Sequence, residues 1–317
     1  MALTFGWVLS QAIFGPTAGP VAVRTLVQRA ETLGFDTVWL ADHIVLPRHV
    51  RSSYPYAAGG VSPFDPALPF YEPLSVLNFM AGCSERIRLG THVLIIPYRQ
   101  PVYTAKMLAT LDALSGGRLI VGAGPGWLAE EFVALGLTNF AERGAVMDEY
   151  LRVFKELWTK DDPEFHGKYV QVSSIGFQPK PVQRPHPPIR IGGHSGPALR
   201  RVARLGDGWM PIGLRPPTLL QPPEMGEKIA RLRTLLREAN RAEDAVTISF
   251  TAPFVVTKTP ASPRPLMHGS PEEIASDLRR YQALGVQNFN NNLPGFVISE
   301  QVEAMEQFAR EVVPLLS

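Results

Sequence analysis

Residues 189–210 read IRIGGHSGPALRRVARLGDGWM and contain one complete unit of the predicted fold. Residues 189–191 form a short β-rich run, residues 198–205 have apolar side chains at helical spacing, and residues 208–210 form a second, very short strand. Glycines and a serine separate the first strand from the helix, and Pro197 suits the first turn of that helix. A strand, a helix and another strand in this order predict neighbouring parallel strands in one sheet.

The same alternation of strands and helices runs along the whole chain. The predicted strands are residues 3–9, 37–41, 87–96, 118–121, 189–191, 208–210, 246–256 and 286–290. The predicted helices are residues 21–33, 74–80, 102–114, 128–135, 141–159, 198–205, 224–239, 271–284 and 300–316. Eight parallel strands are the number at which such a sheet closes, so residues 1–317 are predicted to form one α/β domain, a (β/α)8 TIM-like barrel. An open doubly wound sheet is the alternative, but the first strand lacks the glycine-rich turn typical of that fold.

Two segments are longer than a strand–helix connection requires. Residues 44–72 follow strand 2, and residues 161–188 follow the helix after strand 4. Long loops in compact domains are usually lids or binding loops, and packing on a partner subunit is the alternative. The aromatic residues of the first insertion predict a partly apolar roof over a pocket. They are Tyr54, Tyr56, Phe64, Phe70 and Tyr71.

The composition argues against several classes of function. Lys and Arg number 31 against 29 Asp and Glu, a net charge of +2, so no strong footprint for nucleic acid is present. The single cysteine, Cys83, allows no internal disulfide and fits a reducing cytoplasm. The sequence lacks a signal-peptide pattern and any apolar run of the ~18 residues that span a bilayer. We therefore expect a cytoplasmic protein without a nucleic-acid or membrane partner, and its scattered histidines suggest no metal site.

Two strand ends carry side chains suited to catalysis or binding, at the rim where barrels place their active sites. Strand 2 ends at Asp42 and His43, and an imidazole next to a carboxylate can transfer protons. Strand 3 leads to Tyr98 and Arg99, and the arginine, held between two prolines, is predicted to meet an anion of the substrate. A turn-capping aspartate, a space-filling histidine and a solvated arginine are the structural alternatives.

Glycine-rich loops end two further strands. Residues 122–127, GAGPGW, let a ligand approach the backbone at Gly124 and Trp127. The loop of residues 192–196 precedes a helix, and the free N–H groups at a helix N-terminus suit a cofactor phosphate. A tight turn or a capped helix without a ligand explains either loop equally simply, whereas Pro197 argues against a nucleophile elbow. The predicted phosphate loop is Gly192, Gly193, His194, Ser195 and Gly196.

Amides and tryptophans complete the candidate substrate residues. Strand 8 ends in a cluster of asparagines, and Asn290 is predicted to bind polar groups of the substrate, with turn formation as the alternative. Trp7, on strand 1, is predicted to line the same cavity as three other tryptophans, although core filling also explains it. Those three are Trp39, Trp127 and Trp209.

Taken together, these segments resemble the luciferase-like monooxygenase superfamily, and within it the F420-dependent oxidoreductase branch. The stretches that carry the resemblance include AETLGFDTVWLADH (30–43), IRLGTHVLI (87–95), GRLIVGAGPGWLAEEFVAL (117–135), the helix at 140–158 and the segment 179–211. The resemblance implies a barrel of the bacterial luciferase type with a cofactor on its rim. It also implies a small-molecule substrate and a homodimer.

The resemblance further implies roles for individual residues. His43 lies against the reactive ring and transfers a proton, held by Asp42. A non-proline cis peptide at His92–Val93 supports the ring from behind, and the loop 192–196 holds the cofactor phosphate. Sugar-phosphate dehydrogenases of this branch carry a glutamate and an asparagine where this chain has Trp127 and Ala129, which argues against their substrate. Glu130 and Glu131 remain as candidate substitutes.

Three functions are open at this stage. The first is hydride transfer between F420 and a small organic substrate, with His43 in proton transfer. The second is an FMN-dependent monooxygenase that uses O2 and receives reduced flavin from a separate reductase. The third is a barrel without catalysis that serves as a binding subunit, against which the Asp42–His43 pair and the glycine loops argue.

Overall fold

The computed structural model shows a closed barrel of eight parallel strands surrounded by helices, which confirms the predicted (β/α)8 fold. It describes residues 3–9, 19–257, 262–293 and 297–316. Each strand pairs with its neighbour in sequence, β8 pairs with β1, and the ring is therefore closed. The strands are β1 Thr4–Leu9, β2 Thr37–Leu40, β3 Arg88–Thr91, β4 Leu119–Gly124, β5 Ile189–Gly192, β6 Gly208–Met210, β7 Thr247–Ala252 and β8 Asn288–Asn291.

Helices lie around the barrel, and six of those described have a proline in their first turn. Proline is tolerated there because the first N–H groups of a helix have no partner within the helix. The helices are α1 Pro20–Thr32, α2 Pro73–Cys83, α3 Pro101–Leu114, α4 Ala129–Ala134, α5 Arg143–Thr159, α6 Gly196–Leu205, α7 Pro222–Glu238, α8 Pro271–Gln282 and α9 Ile298–Glu311. Within the second insertion, Phe165–His166 and Gln171–Val172 form a small antiparallel pair.

Strand side chains alternate between the helix layer and the barrel interior. Val8, Trp39, Ile120 and Met210 form a separate apolar cluster inside the ring. The interior also contains polar groups that satisfy one another, since Trp39 Nε1 donates to Asn290 Oδ1 at 2.7 Å. The barrel is therefore a packed core, and open space for a ligand has to lie at its rim.

The predicted third strand is interrupted and the fourth is longer than predicted. β3 ends at Thr91, and a separate short strand, Leu94–Ile95, pairs with the end of β4. β4 runs through Gly122 and Gly124, where the sequence predicted the approach of a ligand, with a tight turn as the alternative. The reason is contact, because a Cβ atom on Gly122 would lie 1.9 Å from the carbonyl oxygen of Thr91.

Candidate functional site

A buried histidine–glutamate pair forms the centre of the site at the C-terminal rim of the strands. His43, just beyond β2, places Nδ1 2.6 Å from Oε2 of Glu131 on α4. The Glu131 side chain is fully buried, and that of His43 is 7% exposed. Within the part of the chain that the structure describes, no hydrogen bond to His43 Nε2 is present, so this nitrogen is free to meet a ligand.

Glu131 accepts hydrogen bonds on both of its oxygens, which fixes the tautomer of His43. Oε1 accepts from the backbone N–H groups of Ile44 at 2.6 Å and Val45 at 3.2 Å. Oε2 also accepts from the hydroxyl of Tyr98 at 2.9 Å. Because the carboxylate is surrounded by donors, Nδ1 of His43 carries the proton in this pair and Nε2 is left as an acceptor.

Asp42 does not hold His43, so the predicted Asp42–His43 pairing is wrong. Asp42 and His43 lie beyond the end of β2, and their side chains have different partners. Its carboxylate receives both terminal nitrogens of Arg99, at 2.7 and 2.8 Å, and the N–H of Ile95 at 2.8 Å. Asp42 therefore anchors the segment after β3, and Glu131 takes the place that the sequence assigned to it.

The structure places Tyr98 and Arg99 beneath the site, where they contact protein carboxylates. Arg99 binds Asp42 and Glu72, the residue that caps α2, so the anion it meets belongs to the protein. The hydroxyl of Tyr98 donates to Glu131, and burial, followed by the charge of Glu131, raises the pKa of this phenol. Neither side chain is free to bind a substrate in this arrangement, which corrects their predicted role.

Three aromatic side chains pack around His43 and a fourth, Tyr54, packs against two of them. We call the four the aromatic roof: Tyr54, Phe64, Phe70 and Trp127. The ring centroids of Phe64, Phe70 and Trp127 lie 5.0, 5.4 and 6.2 Å from that of His43. Tyr54 packs edge-on against Trp127 at 5.1 Å. Three of these residues come from the first insertion, so the structure brings the predicted apolar roof onto the imidazole.

The first insertion is fixed to the barrel at both ends. Glu131 binds its first two backbone N–H groups, and the neighbouring Glu130 binds the N–H groups of Arg51 and Ser52 at 2.7 and 3.1 Å. At the other end, Glu72 receives Arg99 at 3.0 Å. The sequence named Glu130 and Glu131 only as candidate substitutes. A stronger signal was present, because Glu131 shares a helical face with Leu128 and Leu135, and an acid on an apolar face needs a buried partner.

His92 and Val93 lie side by side at the break between β3 and the next short strand, and the peptide bond that joins them is cis, as expected. Val93 fills the space that the glycines leave open, since Cβ atoms on Gly124 and Gly192 would lie 2.5 and 2.9 Å from its methyl groups. The packing of Val93 therefore explains why glycine is required at both positions, and no ligand is needed to account for them. His92 points across the barrel, with Nε2 2.9 Å from Thr251 Oγ1.

Burial holds His92 neutral, so the stability of the fold will depend on pH. Burial, together with the charge of Arg215, lowers the pKa of His92 from 6.5 to about 4. The unfolded chain binds this proton below pH 6.5 and the folded chain does not, so the stabilisation is complete above pH 6.5 and is lost as the pH falls toward 4. Compared with His92→Gln, the wild-type protein should lose about 2–3 kcal/mol more between pH 7 and pH 4.5, measured by urea unfolding. Equal losses in both proteins would contradict this assignment.

The predicted phosphate loop has the geometry of an anion site. Ser195 caps α6, accepting from the N–H of Ala198 at 3.4 Å, and Gly193 has a φ of +84°. The carbonyl of Gly193 accepts from Trp209 Nε1 at 2.7 Å, which fixes the turn. Among the described residues, the N–H groups of His194, Ser195 and Gly196 find no acceptor. Because β2 and β5 are parallel, this loop and His43 lie at the same end of the barrel.

Two predicted substrate residues lie away from the rim. Trp7 points outward into the helix layer, packs against Phe35 at 5.3 Å and donates to Gln301 at 2.9 Å. Asn290 is fully buried inside the barrel, where it bonds Trp39 and Thr251. Trp7 is a core residue of the helix layer, and Asn290 is a core residue of the barrel interior whose amide is bound by protein groups, which corrects their predicted role.

Over the described residues, no group of three or more His, Cys, Asp and Glu side chains is arranged to hold a metal ion. None of the described helices has the length and apolar character that crossing a membrane requires.

Comparison with known proteins identifies the relatives of this chain. The family model for luciferase-like monooxygenases matches residues 3–264. An uncharacterised protein of Mycobacterium tuberculosis is 34% identical over 216 residues, which cover 68% of this chain and 72% of that protein. The F420-dependent glucose-6-phosphate dehydrogenase of Amycolatopsis mediterranei is 32% identical over 215 residues, covering 66% and 57%. The FMNH2-dependent dimethylsulfone monooxygenase of Pseudomonas putida is 33% identical over 145 residues, covering 45% and 40%.

Solved structures share the fold along the full chain. The monooxygenase RslO1 of Streptomyces bottropensis superimposes with a TM-score of 0.78 at 21% identity, covering 99% of this chain and 100% of that one. The coenzyme F420-dependent tetrahydromethanopterin reductase of Methanopyrus kandleri gives a TM-score of 0.76 at 18% identity, covering 100% of both chains. At these identities the likeness concerns the fold alone.

Proposed function

Since this chain belongs to the luciferase-like monooxygenase family, we propose that it is an oxidoreductase that transfers a hydride between coenzyme F420 and a small organic substrate. The observation that carries the proposal is the His43–Glu131 pair, which leaves Nε2 of a buried imidazole free under the aromatic roof. The relative named as an F420-dependent dehydrogenase matches 66% of the chain, against 45% for the FMNH2-dependent one, and this favours F420. Trp127 and Ala129 stand where sugar-phosphate dehydrogenases of this branch carry a glutamate and an asparagine, which argues against a sugar-phosphate substrate.

The residues at the rim fit a cofactor that combines a flat ring with a phosphate. The unpaired N–H groups of His194, Ser195 and Gly196 at the start of α6 suit the phosphate. Val93, at the cis peptide, and Trp127, in the aromatic roof, offer apolar surface to a ring. Bound F420 would supply the hydride chemistry.

The protein contributes orientation and proton transfer. Nε2 of His43 accepts or delivers the substrate proton, while Glu131 keeps Nδ1 protonated and holds the ring in place. The aromatic roof excludes water from the imidazole, which strengthens the electrostatic interactions within the site. Asp42 and Arg99 act through the backbone, because their ion pair fixes the segment that follows β3.

Titration of the purified protein with F420 and with FMN tests this proposal. We expect micromolar binding of F420, detected by absorbance or fluorescence of the cofactor. Ser195→Asp keeps the helix cap but adds a charge beside the phosphate, so it should weaken binding about 10-fold or more. Ser270→Asp is the matched control, since Ser270 caps α8 in the same way without a glycine loop. Binding of FMN and not of F420 would overturn the choice of cofactor, and an equal loss in both variants would overturn the phosphate assignment.

A second candidate function is an FMN-dependent monooxygenase. The observation in its favour is the 33% identity to the enzyme named as an FMNH2-dependent monooxygenase. In that case a separate reductase would supply reduced FMN, and the same histidine would serve the reaction with O2. The titration separates the two functions. The homodimer, the single domain and the cytoplasmic location stay predictions that size measurement, limited proteolysis and cell fractionation can test.

A further inference from the structure

Arg215, in the connection between β6 and α7, is a partly buried cation that forms no ion pair with any described residue. Its Nη2 donates to the carbonyl of Asn292 at 2.8 Å, just beyond β8. Its Nε is buried and has no hydrogen-bond partner. Since more than nine-tenths of buried polar atoms in folded proteins are paired, this guanidinium needs an explanation.

The segment that carries Arg215 is held over the rim of the barrel. The N–H of Gly213 donates to the carbonyl of Thr251 at 2.9 Å, and the N–H of Arg215 donates to Thr218 at 3.0 Å. The hydroxyl of Thr218 reaches the carbonyl of Pro55 in the first insertion at 3.5 Å. These contacts position the guanidinium between the end of β8 and the insertion that forms most of the aromatic roof.

The charge of Arg215 affects the pKa values of two residues of the site. The charge of Arg215 contributes to the lowered pKa of His92, and it partly opposes the effect of burial on the pKa of Tyr54. Tyr54 in turn packs against Trp127 in the aromatic roof. The segment of Arg215 therefore contacts the first insertion next to Tyr54, and Tyr54 is connected through Trp127 to His43.

No carboxylate among the described residues neutralises Arg215. Asp42 is bound to Arg99, and Glu131 is bound to His43 and Tyr98. Across the described ranges Arg215 takes part in no ion pair, and burial lowers the pKa of its guanidinium. The neighbouring Tyr54 is no counter-ion, because burial raises the pKa of this phenol and keeps it neutral. The residues outside those ranges include no aspartate or glutamate. A buried charge of this kind is costly unless it is paired, so the missing anion should arrive with a ligand.

We propose that Arg215 binds an anionic oxygen group, a carboxylate or a phosphate, of the ligand that occupies the site above His43. The guanidinium presents Nε and Nη groups in a fork that matches such a group with two hydrogen bonds. This inference rests on the proposed function and extends it, because it predicts that the ligand carries a negative charge next to the aromatic roof. The anion belongs either to the substrate or to the cofactor, and binding measurements on Arg215 variants separate the two sources.

The test compares benzoate with benzamide, two flat probes of similar shape that differ in charge, by calorimetry on the protein without cofactor. Wild-type protein should bind benzoate about 10- to 100-fold more tightly than benzamide, as a charge-assisted pair predicts. Arg215→Gln should abolish this preference, and Arg215→Lys should retain part of it. Arg231→Gln is the matched control, because Arg231 lies on α7 and is more than half exposed.

The same variants are then titrated with F420 and FMN. Loss of benzoate preference with unchanged cofactor binding assigns the anion to the substrate. A cofactor affinity that falls about 10-fold or more in Arg215→Gln, without any benzoate preference in the wild type, assigns it to the cofactor. Arg215→Gln and Arg231→Gln behaving alike with every probe would overturn the inference. A protein that binds neither cofactor would refute the proposed function while leaving the benzoate comparison readable.

Discussion

His43→Ala should lower turnover by about 10²–10⁴-fold, because the variant lacks the group to which we assign proton transfer. The affinity for the cofactor should stay within about 3-fold, since the proposed function assigns the phosphate and the ring to other residues. Turnover is followed through the absorbance of the cofactor with a substrate that the wild-type protein converts. The loss should therefore appear in kcat, with the Kd of the cofactor nearly unchanged.

The matched control for this variant is His166→Ala. His166 lies on the small antiparallel pair of the second insertion, with its side chain 60% exposed. It should keep wild-type turnover. Added imidazole should restore part of the activity of His43→Ala by occupying the space beneath the aromatic roof. Wild-type turnover in His43→Ala would remove this residue from the mechanism.

Glu131→Gln should lower turnover by about 10- to 100-fold and destabilise the protein by about 3–5 kcal/mol. The amide has one oxygen where the carboxylate has two, so it cannot accept from the backbone after β2 and from His43 together. An amide nitrogen facing Nδ1 would also favour the opposite tautomer, which removes the free acceptor at Nε2. Unfolding in urea gives the stability, and kcat together with the cofactor Kd gives the functional effect.

Tyr98→Phe separates a positioning role from a loss of stability. It removes one of the hydrogen bonds to Glu131 Oε2 but leaves His43 in contact with the carboxylate. We expect a stability loss of about 1 kcal/mol and kcat within about 3-fold of wild type. If Glu131→Gln and Tyr98→Phe reduce kcat equally, Glu131 has no role in orienting the imidazole.

The barrel was predictable because its signal is repeated eight times along the chain. Each apolar run with its following helical pattern has a counterpart in the structure. The exceptions occur where the partner is distant in sequence. The sequence placed Gly122 and Gly124 in a loop after the fourth strand. Their position inside β4 is explained by the close contacts of Gly122 with Thr91 and of Gly124 with Val93, which the sequence does not show.

The position of the site was predictable from the sequence, but the hydrogen-bond partners of its side chains were not. The sequence located His43 and the phosphate loop on the rim because both follow strands, and the structure places them at the same end. It paired His43 with its neighbour in sequence, whereas the partner is Glu131, 88 residues away. Arg215 escaped notice for the same reason, since a missing counter-ion can be recognised only after every other charge has been placed.

The attachment of the first insertion at both of its ends has a consequence for evolution and protein engineering. Glu130 and Glu131 hold one end, and Glu72, held by Arg99, secures the other. Residues 53–71 can therefore vary without removing these attachments, and we expect exchanges within this stretch to alter the surroundings of His43 while Glu131 continues to support its imidazole.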